Sequence, residues 1–335
     1  MIKKILNYFK EELKTNYKFY IVYVVLLSLL FINFNYYVYS PGGLEDLTDR
    51  IEVSDSYDSK GSFNLTYVTS RAGNIYNILL SYILPSWDLV SVKDSQIENE
   101  STSEVVERNQ IYLRQTSYDA IISAFNEANI DYEIKNVNVT VTFVYDNSNT
   151  DIKTGDVIKE INGIKINNYE ELSNEMSKYK ENDKINFKVL RDNKETDAYA
   201  ILKKENDRVI VGMYLAELKD VVTNPSVKYI FKDNESGSSR GLMCALDIYN
   251  KITEFDLTKG DIIAGTGVIY EDGSVGSIDG VKYKLKGAVK NKAKVFIVPS
   301  ENYDEAVKLK KEHNYDIEII EADNLHNVIK KLKNR

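Results

Sequence analysis

The sequence predicts a multidomain α+β protein that opens with a transmembrane helix. Three stretches carry that prediction: an uncharged run from Phe19 to Tyr39, a strand-rich segment with paired turn signals between Val137 and Lys204, and a series of strand, glycine turn, helix and hairpin between Asp207 and Pro299. At 335 residues the chain exceeds one ordinary core and suits two or three domains. With 43% hydrophobic and 28% charged residues it has the composition of a folding sequence, not of a disordered one.

The first stretch is preceded by Lys3, Lys4, Lys10, Lys14 and Lys18 and followed by Glu45 and Asp46. An apolar run of this length suits the hydrocarbon core of a bilayer, and the lysine asymmetry sets the N-terminus in the cytoplasm and everything later outside. Tyr36, Tyr37 and Tyr39 would form an aromatic belt at the far interface. A cleavable signal peptide competes, because Val38-Tyr39-Ser40 loosely imitates a cleavage site. Pro41 directly after that site, the bulky belt and the length of the run favour a retained anchor. Residues 1–40 are thus expected to be a cytoplasmic tail and anchor of a single-pass protein of the cell membrane, with everything after them extracytoplasmic.

Residues 41–130 form an expected α/β connecting region. Ser62 to Val68 alternates like a strand, Asn74 to Leu84 and Tyr118 to Ala128 have helical spacing, and Asp94 to Glu104 is polar and expected to be loop. No constellation of reactive side chains stands out there.

Residues 131–205 have a sharper pattern. A strand over Val137–Tyr145 precedes a turn at Gly155-Asp156 and a strand at Val157–Ile161, and Asn162-Gly163 marks a hairpin returning through Ile164–Ile166. A helix, Tyr169–Tyr179, and a strand, Ile185–Leu190, complete it. This order and the wording G-D-V-I-x-x-I-N-G-I resemble a PDZ domain. The resemblance implies that an extended peptide adds to a sheet edge beside the domain helix.

Residues 206–335 contain the candidate chemistry. After two strands comes Ser236-Gly237-Ser238-Ser239-Arg240-Gly241, followed by Leu242, Ala245, Leu246, Tyr249 and Ile252 on one face at helical spacing. Ser239 is therefore expected at a helix N-terminus, where unpaired backbone N–H groups and the positive dipole end stabilise an oxyanion. On local sequence alone a serine that merely caps the helix is the favoured account. Gly260 to Gly267 then leads through Asp272-Gly273 into Gly280-Val281-Lys282-Tyr283-Lys284, a helix and the apolar strand Val295–Pro299.

This run resembles the proteolytic domain of Lon-type serine peptidases, whose serine lies in G-P-S-A-G, whose hairpin opens T-G-E-I and whose lysine is the second in G-G-L-K-E-K. The resemblance implies Ser239 as nucleophile and Lys284 as base, with Gly237, Ser238, Arg240 and Thr266 supporting the pair or its oxyanion. Ser238, Arg240 and Val268 replace the Pro, Ala and Glu of those motifs. A lysine base requires burial, because its amine titrates near 10.4 in water. Lys284 is favoured over Lys282, and Thr266 is expected to orient its amine.

Other chemistries lack their residues. Two histidines, His313 and His326, and one cysteine, Cys244, argue against a Ser-His-Asp triad, a Cys-His pair or a metal site rich in histidine or cysteine. There is no P-loop motif, so neither ATP nor any other cofactor is expected, and a net charge of −8 without a long basic block points away from nucleic acid.

Taken with Ser40-Pro41-Gly42-Gly43 and Gly61-Ser62-Phe63-Asn64-Leu65-Thr66-Tyr67-Val68, the order of anchor, PDZ-like domain and Lon-like domain resembles the YlbL-like membrane-anchored peptidases of Gram-positive bacteria. That resemblance implies an ATP-independent serine endopeptidase acting on extracytoplasmic peptides or unfolded, membrane-proximal proteins presented by the PDZ-like domain. The alternative is a catalytically inactive, membrane-anchored PDZ-type binding module.

Overall fold

The structure, a computed structural model, describes residues 2–232 and 235–335. Asn234, ahead of the serine turn, and the side chains of Lys3 and Lys4 lie outside the described residues. The chain divides into two compact units, one comprising the chain up to Pro41 with Val68–Ile97, the other Gly42–Tyr67 with Glu98–Arg335.

In the first unit the expected membrane span does not form. Helix α1, Ile2–Leu29, breaks helical geometry at Asn16 (φ −108°, ψ 17°) and stops at Leu29. The second half of the apolar run instead becomes extended, within the strand Asn33–Asp46, and pairs antiparallel with Asp88–Ser91 from Tyr36↔Ser91 to Tyr39↔Asp88. The reason is compositional: Asn33-Phe34-Asn35-Tyr36-Tyr37-Val38-Tyr39 joins aromatic and β-branched residues, which favour a pleated strand, to asparagines that disfavour helix. The apolar helical part, Phe19 to Leu29, then reaches roughly 16 Å at 1.5 Å per residue, about half of a ~30 Å hydrocarbon core. No helix among the described residues is long and apolar enough to cross a membrane. The single-pass topology and the localisation derived from it are therefore withdrawn. In the same unit α2, Ile75–Ile83, is capped by Asn74, whose Oδ1 accepts from Asn77 N at 2.8 Å.

The second unit holds two sheets. In one, four strands run parallel in the order Glu318–Ala322, Val295–Pro299, Ile262–Gly265 and the Ser62–Leu65 portion of the next strand. Both faces are covered, as a parallel sheet requires. Val295 and Ile297 pack with Leu242, Met243 and Leu246 of α5 (Gly241–Ile252) and with Val328 of α8 (Leu325–Lys333). Phe296 and Val298 point the other way, onto Val281, Leu285 and Ala288 of α6 (Val281–Lys290) and Ala306 of α7 (Ser300–His313). The period of two along one strand thus separates α5 from α6 by the thickness of the sheet.

The other sheet is antiparallel, in the order Met213–Thr223, Tyr132–Val144, Val157–Ile161, Lys184–Arg191, Lys194–Ile201 and Asn149–Thr150. Its core includes Val139, Val141, Ile158, Ile161, Ile185 and Phe187, with Leu172 of α4 (Tyr169–Met176) packed on it. Between the two sheets runs α3, Thr102–Ala128, which starts sixteen residues before the expected Tyr118. Its N-terminus is a reciprocal capping box: Ser101 Oγ accepts from Glu104 N at 3.3 Å and Glu104 Oε2 accepts from Ser101 N at 2.8 Å.

Candidate active site

The site lies at the carboxyl end of the Ile262–Gly265 strand, the edge at which open parallel sheets expose ligand crevices. Thr266 and Gly267 continue from that strand and bind the serine turn by three hydrogen bonds. Gly267 N and Thr266 Oγ1 both donate to the Ser239 carbonyl, at 2.9 and 3.0 Å, and Leu242 N donates to the Gly267 carbonyl at 3.0 Å. Ser239 is half-buried in the turn just before α5. The N-cap of that helix is Arg240, which makes no side-chain cap bond.

Lys284 arrives from the opposite face of the sheet. Gly280, in the left-handed region at φ 76°, ends the approach and starts α6, and Val281 and Leu285 seat the helix on the sheet. Lys284 is only 5% exposed, and its ammonium donates to Thr266 Oγ1 at 3.1 Å. Burial in this dry corner lowers its pKa to about 8, against the opposing effect of Asp279. Lys282, two residues earlier, lies over the ring of Tyr283 at 4.9 Å. Thr266 therefore bridges the lysine amine to the serine backbone, and the link from Lys284 to Ser239 runs through the Thr266 hydroxyl and the Ser239 carbonyl.

The remaining expected residues hold the serine turn rather than meeting the lysine. Gly237, at φ 87°, donates its N–H to the Asn109 carbonyl at 2.9 Å, and the Ser238 carbonyl accepts from Thr116 Oγ1 at 3.1 Å. Arg240, 8% exposed, turns to Glu235 (Nη1–Oε2 2.7 Å) and the Phe231 ring at 5.3 Å. Glu235 is shared with Arg50, which also meets Glu45 at 3.2 Å.

Residues 230–334 match the model of the Lon protease (S16) C-terminal proteolytic domain, and residues 113–202 match that of a PDZ domain. The chain carries both domains. Their combination supports a serine peptidase that binds peptide or protein substrates. Two solved structures resemble part of the chain. The PDZ domain of an SdrC-like protein from Listeria monocytogenes is 22% identical over 23% of this chain and 85% of its own, with a TM-score of 0.22. A protein from Geobacillus thermodenitrificans solved in solution is 24% identical over 23% of this chain and 94% of its own, also with a TM-score of 0.22. No curated protein matches the chain.

Within the PDZ region a groove of about 640 Å³ opens between α4 and the chain around Val209 to Leu215. Leu172, Met176, Val211, Met213 and Leu215 make its walls apolar, and Tyr169 and Tyr214 stand at its margin.

The sequence disclosed only the end of α3 and gave the helix no part in the site. The helix supplies Asn109 and Thr116 to the serine turn, and Thr116 Oγ1 fills the space that any Cβ on Gly241 would need, 2.2 Å away. The available signal was Ser101-x-x-Glu104, a capping-box pattern that sets the true start of the helix within the segment expected to be loop.

Proposed function

We propose that this chain is an ATP-independent serine endopeptidase in which Ser239 is the nucleophile and Lys284 the general base. The observation that carries the reading is the buried Lys284 amine, hydrogen-bonded to Thr266 Oγ1, which itself donates to the Ser239 carbonyl. A lysine pushed down to about 8 holds a usable fraction of neutral amine near neutral pH. That amine takes the proton from Ser239 Oγ as the oxygen bonds to the substrate carbonyl carbon. The positive end of the α5 dipole stabilises the oxyanion, the Gly241 and Leu242 N–H groups being engaged by the Ser238 and Gly267 carbonyls. Collapse breaks the C–N bond, the Lys284 ammonium returns its proton to the leaving amine, and water, deprotonated by the same amine, releases the acyl group from Ser239.

The chain has no P-loop sequence. Substrates are accordingly short, extended or already unfolded, and the apolar groove beside α4 receives an extended segment. The order of a PDZ region ahead of a Lon-type region supports a place beside the YlbL-like peptidases.

Labelling with a fluorophosphonate tests the assignment. Wild-type protein should carry the adduct on Ser239 at a rate that rises with pH through about 8. Ser239→Ala and Lys284→Ala should abolish it with the fold retained. Labelling of Lys284→Ala at the wild-type rate would remove the lysine from the mechanism.

A further inference from the structure

The groove and the catalytic pair are joined by a line of charged side chains along one strand. Met213–Thr223 begins at the groove, where Met213, Tyr214 and Leu215 line it, and continues past α3. Glu217 and Lys219 follow Leu215 at the spacing that shares one face of a strand.

Glu217 touches the groove helix directly. Its Oε1 accepts from the backbone N–H of Tyr169, the first residue of α4, at 2.6 Å. Its other oxygen lies 3.8 Å from Lys219 Nζ, and Lys219 in turn donates to Glu271 Oε1. Lys219 keeps only 13% of its side-chain exposure, so this is not a solvated surface pair.

Glu271 stands at the tip of the hairpin formed by Val268–Ile269 and Val275–Gly276. One leg of that hairpin leaves Thr266-Gly267, and the other leads through Gly280 to Lys284. The tip is held on other sides as well. Asn126 of α3 donates to the Glu271 carbonyl at 3.4 Å, and Leu325 N donates to the Gly273 carbonyl at 2.8 Å. The buried carboxyl of Asp119 on α3 lies close enough to Glu271 for that charge to help raise its pKa.

We propose that occupancy of the groove is read at the catalytic pair through Glu217, Lys219 and Glu271, which act as positioning residues for the hairpin that spans Thr266 and Lys284. This rests on the peptidase reading above. An extended segment wedged between α4 and the Met213–Thr223 strand moves the α4 N-terminus. Glu217 is held both by that N–H and by Lys219, so it transfers the displacement to the lysine, and Glu271 carries it into the hairpin. Coupling of this kind is an energy between two sites, and it is demonstrated only when a change at one alters the other through the link and not without it.

The test uses the full chain and fluorophosphonate acylation of Ser239. Ser173 is exposed and lines the groove from α4, so Ser173→Trp places an indole there without disturbing the core. Ser173→Trp should change the acylation rate about tenfold in the wild-type background and less than twofold in Lys219→Met. Glu217→Gln, Lys219→Met and Glu271→Gln should each change the rate by a similar factor, and pairs of them no more than one alone. An indole effect of equal size in both backgrounds, or absent from both, overturns the relay and leaves the peptidase reading standing. If wild-type Ser239 is not acylated, the peptidase reading fails instead. Amide hydrogen exchange over residues 268–276, measured for the same variants, then decides the relay by the same criterion.

Discussion

The root and the tip of the catalytic hairpin hold charge in opposite ways. At the root, Lys284 is buried against a neutral hydroxyl, and the negative charge of Asp279 offsets only part of the cost, so the amine is held down to about 8. At the tip, Lys219 faces Glu271 and Glu217 with Asp119 behind them, and there the group driven toward its neutral form is a carboxyl. Burial raises the Asp119 pKa to about 8, and the nearby Glu271 charge adds to it while Lys219 opposes. The same two forces, desolvation and neighbouring charge, therefore lower the pKa of an amine where a lysine stands without a bonded carboxylate. They produce a positional clamp where carboxyls outnumber the lysine.

Removing the root charge breaks this contrast most severely. Lys284→Met should lower acylation of Ser239 by about 10²–10⁴-fold, the usual worth of a general base. It should also stabilise the fold. The folded amine titrates at about 8 and the unfolded one at 10.5, so the unfolded chain binds the proton more tightly. Below about pH 8 this difference costs on the order of 3 kcal/mol, and the cost fades as pH rises from 8 to 10.5. Thermal unfolding at pH 7 should show Lys284→Met above the wild type, with the gap closing by pH 10.5. A lower melting temperature at pH 7 would mean that the amine is not desolvated as described.

Disturbing the serine side without changing charge should have an intermediate effect. A Cβ on Gly241 would lie 2.2 Å from Thr116 Oγ1 and 2.7 Å from Ile269 Cγ2. Overpacking of this kind costs about 1–3 kcal/mol. Gly241→Ala should therefore lower the melting temperature and slow acylation, because the Ser238-Ser239 turn must shift away from α3. Adding Thr116→Ala should recover part of both losses. No recovery in the double variant would show that the clash with Thr116 is not the cause.

The two regions also differed in how readily the sequence disclosed them. The elements at the root were legible because their constraints are local, Gly280 before an apolar helical stripe, Thr266-Gly267 after an apolar strand and Ser239 ahead of Leu242, Ala245 and Leu246, but the choice of Ser239 and Lys284 came from the resemblance to Lon-type peptidases alone. The tip was not, since Lys219 and Glu271 lie far apart in sequence and look like ordinary solvated charges until the Met213–Thr223 strand joins the PDZ sheet beside α3. Helix α3 was half legible: Ile121, Ile122, Ala124 and Phe125 announced its end, while its polar first turns hid its start despite the Ser101–Glu104 box. The apolar run from Phe19 misled for the opposite reason. Hydropathy alone does not distinguish helix from strand, and the asparagines and aromatic residues from Asn33 to Tyr39 decided for strand.

The last expected effect comes from neutralising the tip. In the folded protein Asp119 keeps its proton up to about pH 8, whereas an unfolded aspartate loses it near 4. Between those values the folded state binds more protons, so this group's contribution favours folding fully below about pH 4, declines as pH rises and is lost above 8. Glu271, Lys219 and Tyr229 are the charged or titratable groups that face it, with Glu217 next to Lys219. Asp119→Asn keeps a hydrogen-bond donor toward Glu271 but has nothing to titrate. The melting temperature of the variant should fall less than that of the wild type between pH 4 and pH 8, with little difference at pH 4. If the two curves run parallel over that range, Asp119 is not a protonated partner of Glu271, and the tip is held by the Lys219 ion pair and the backbone bonds alone.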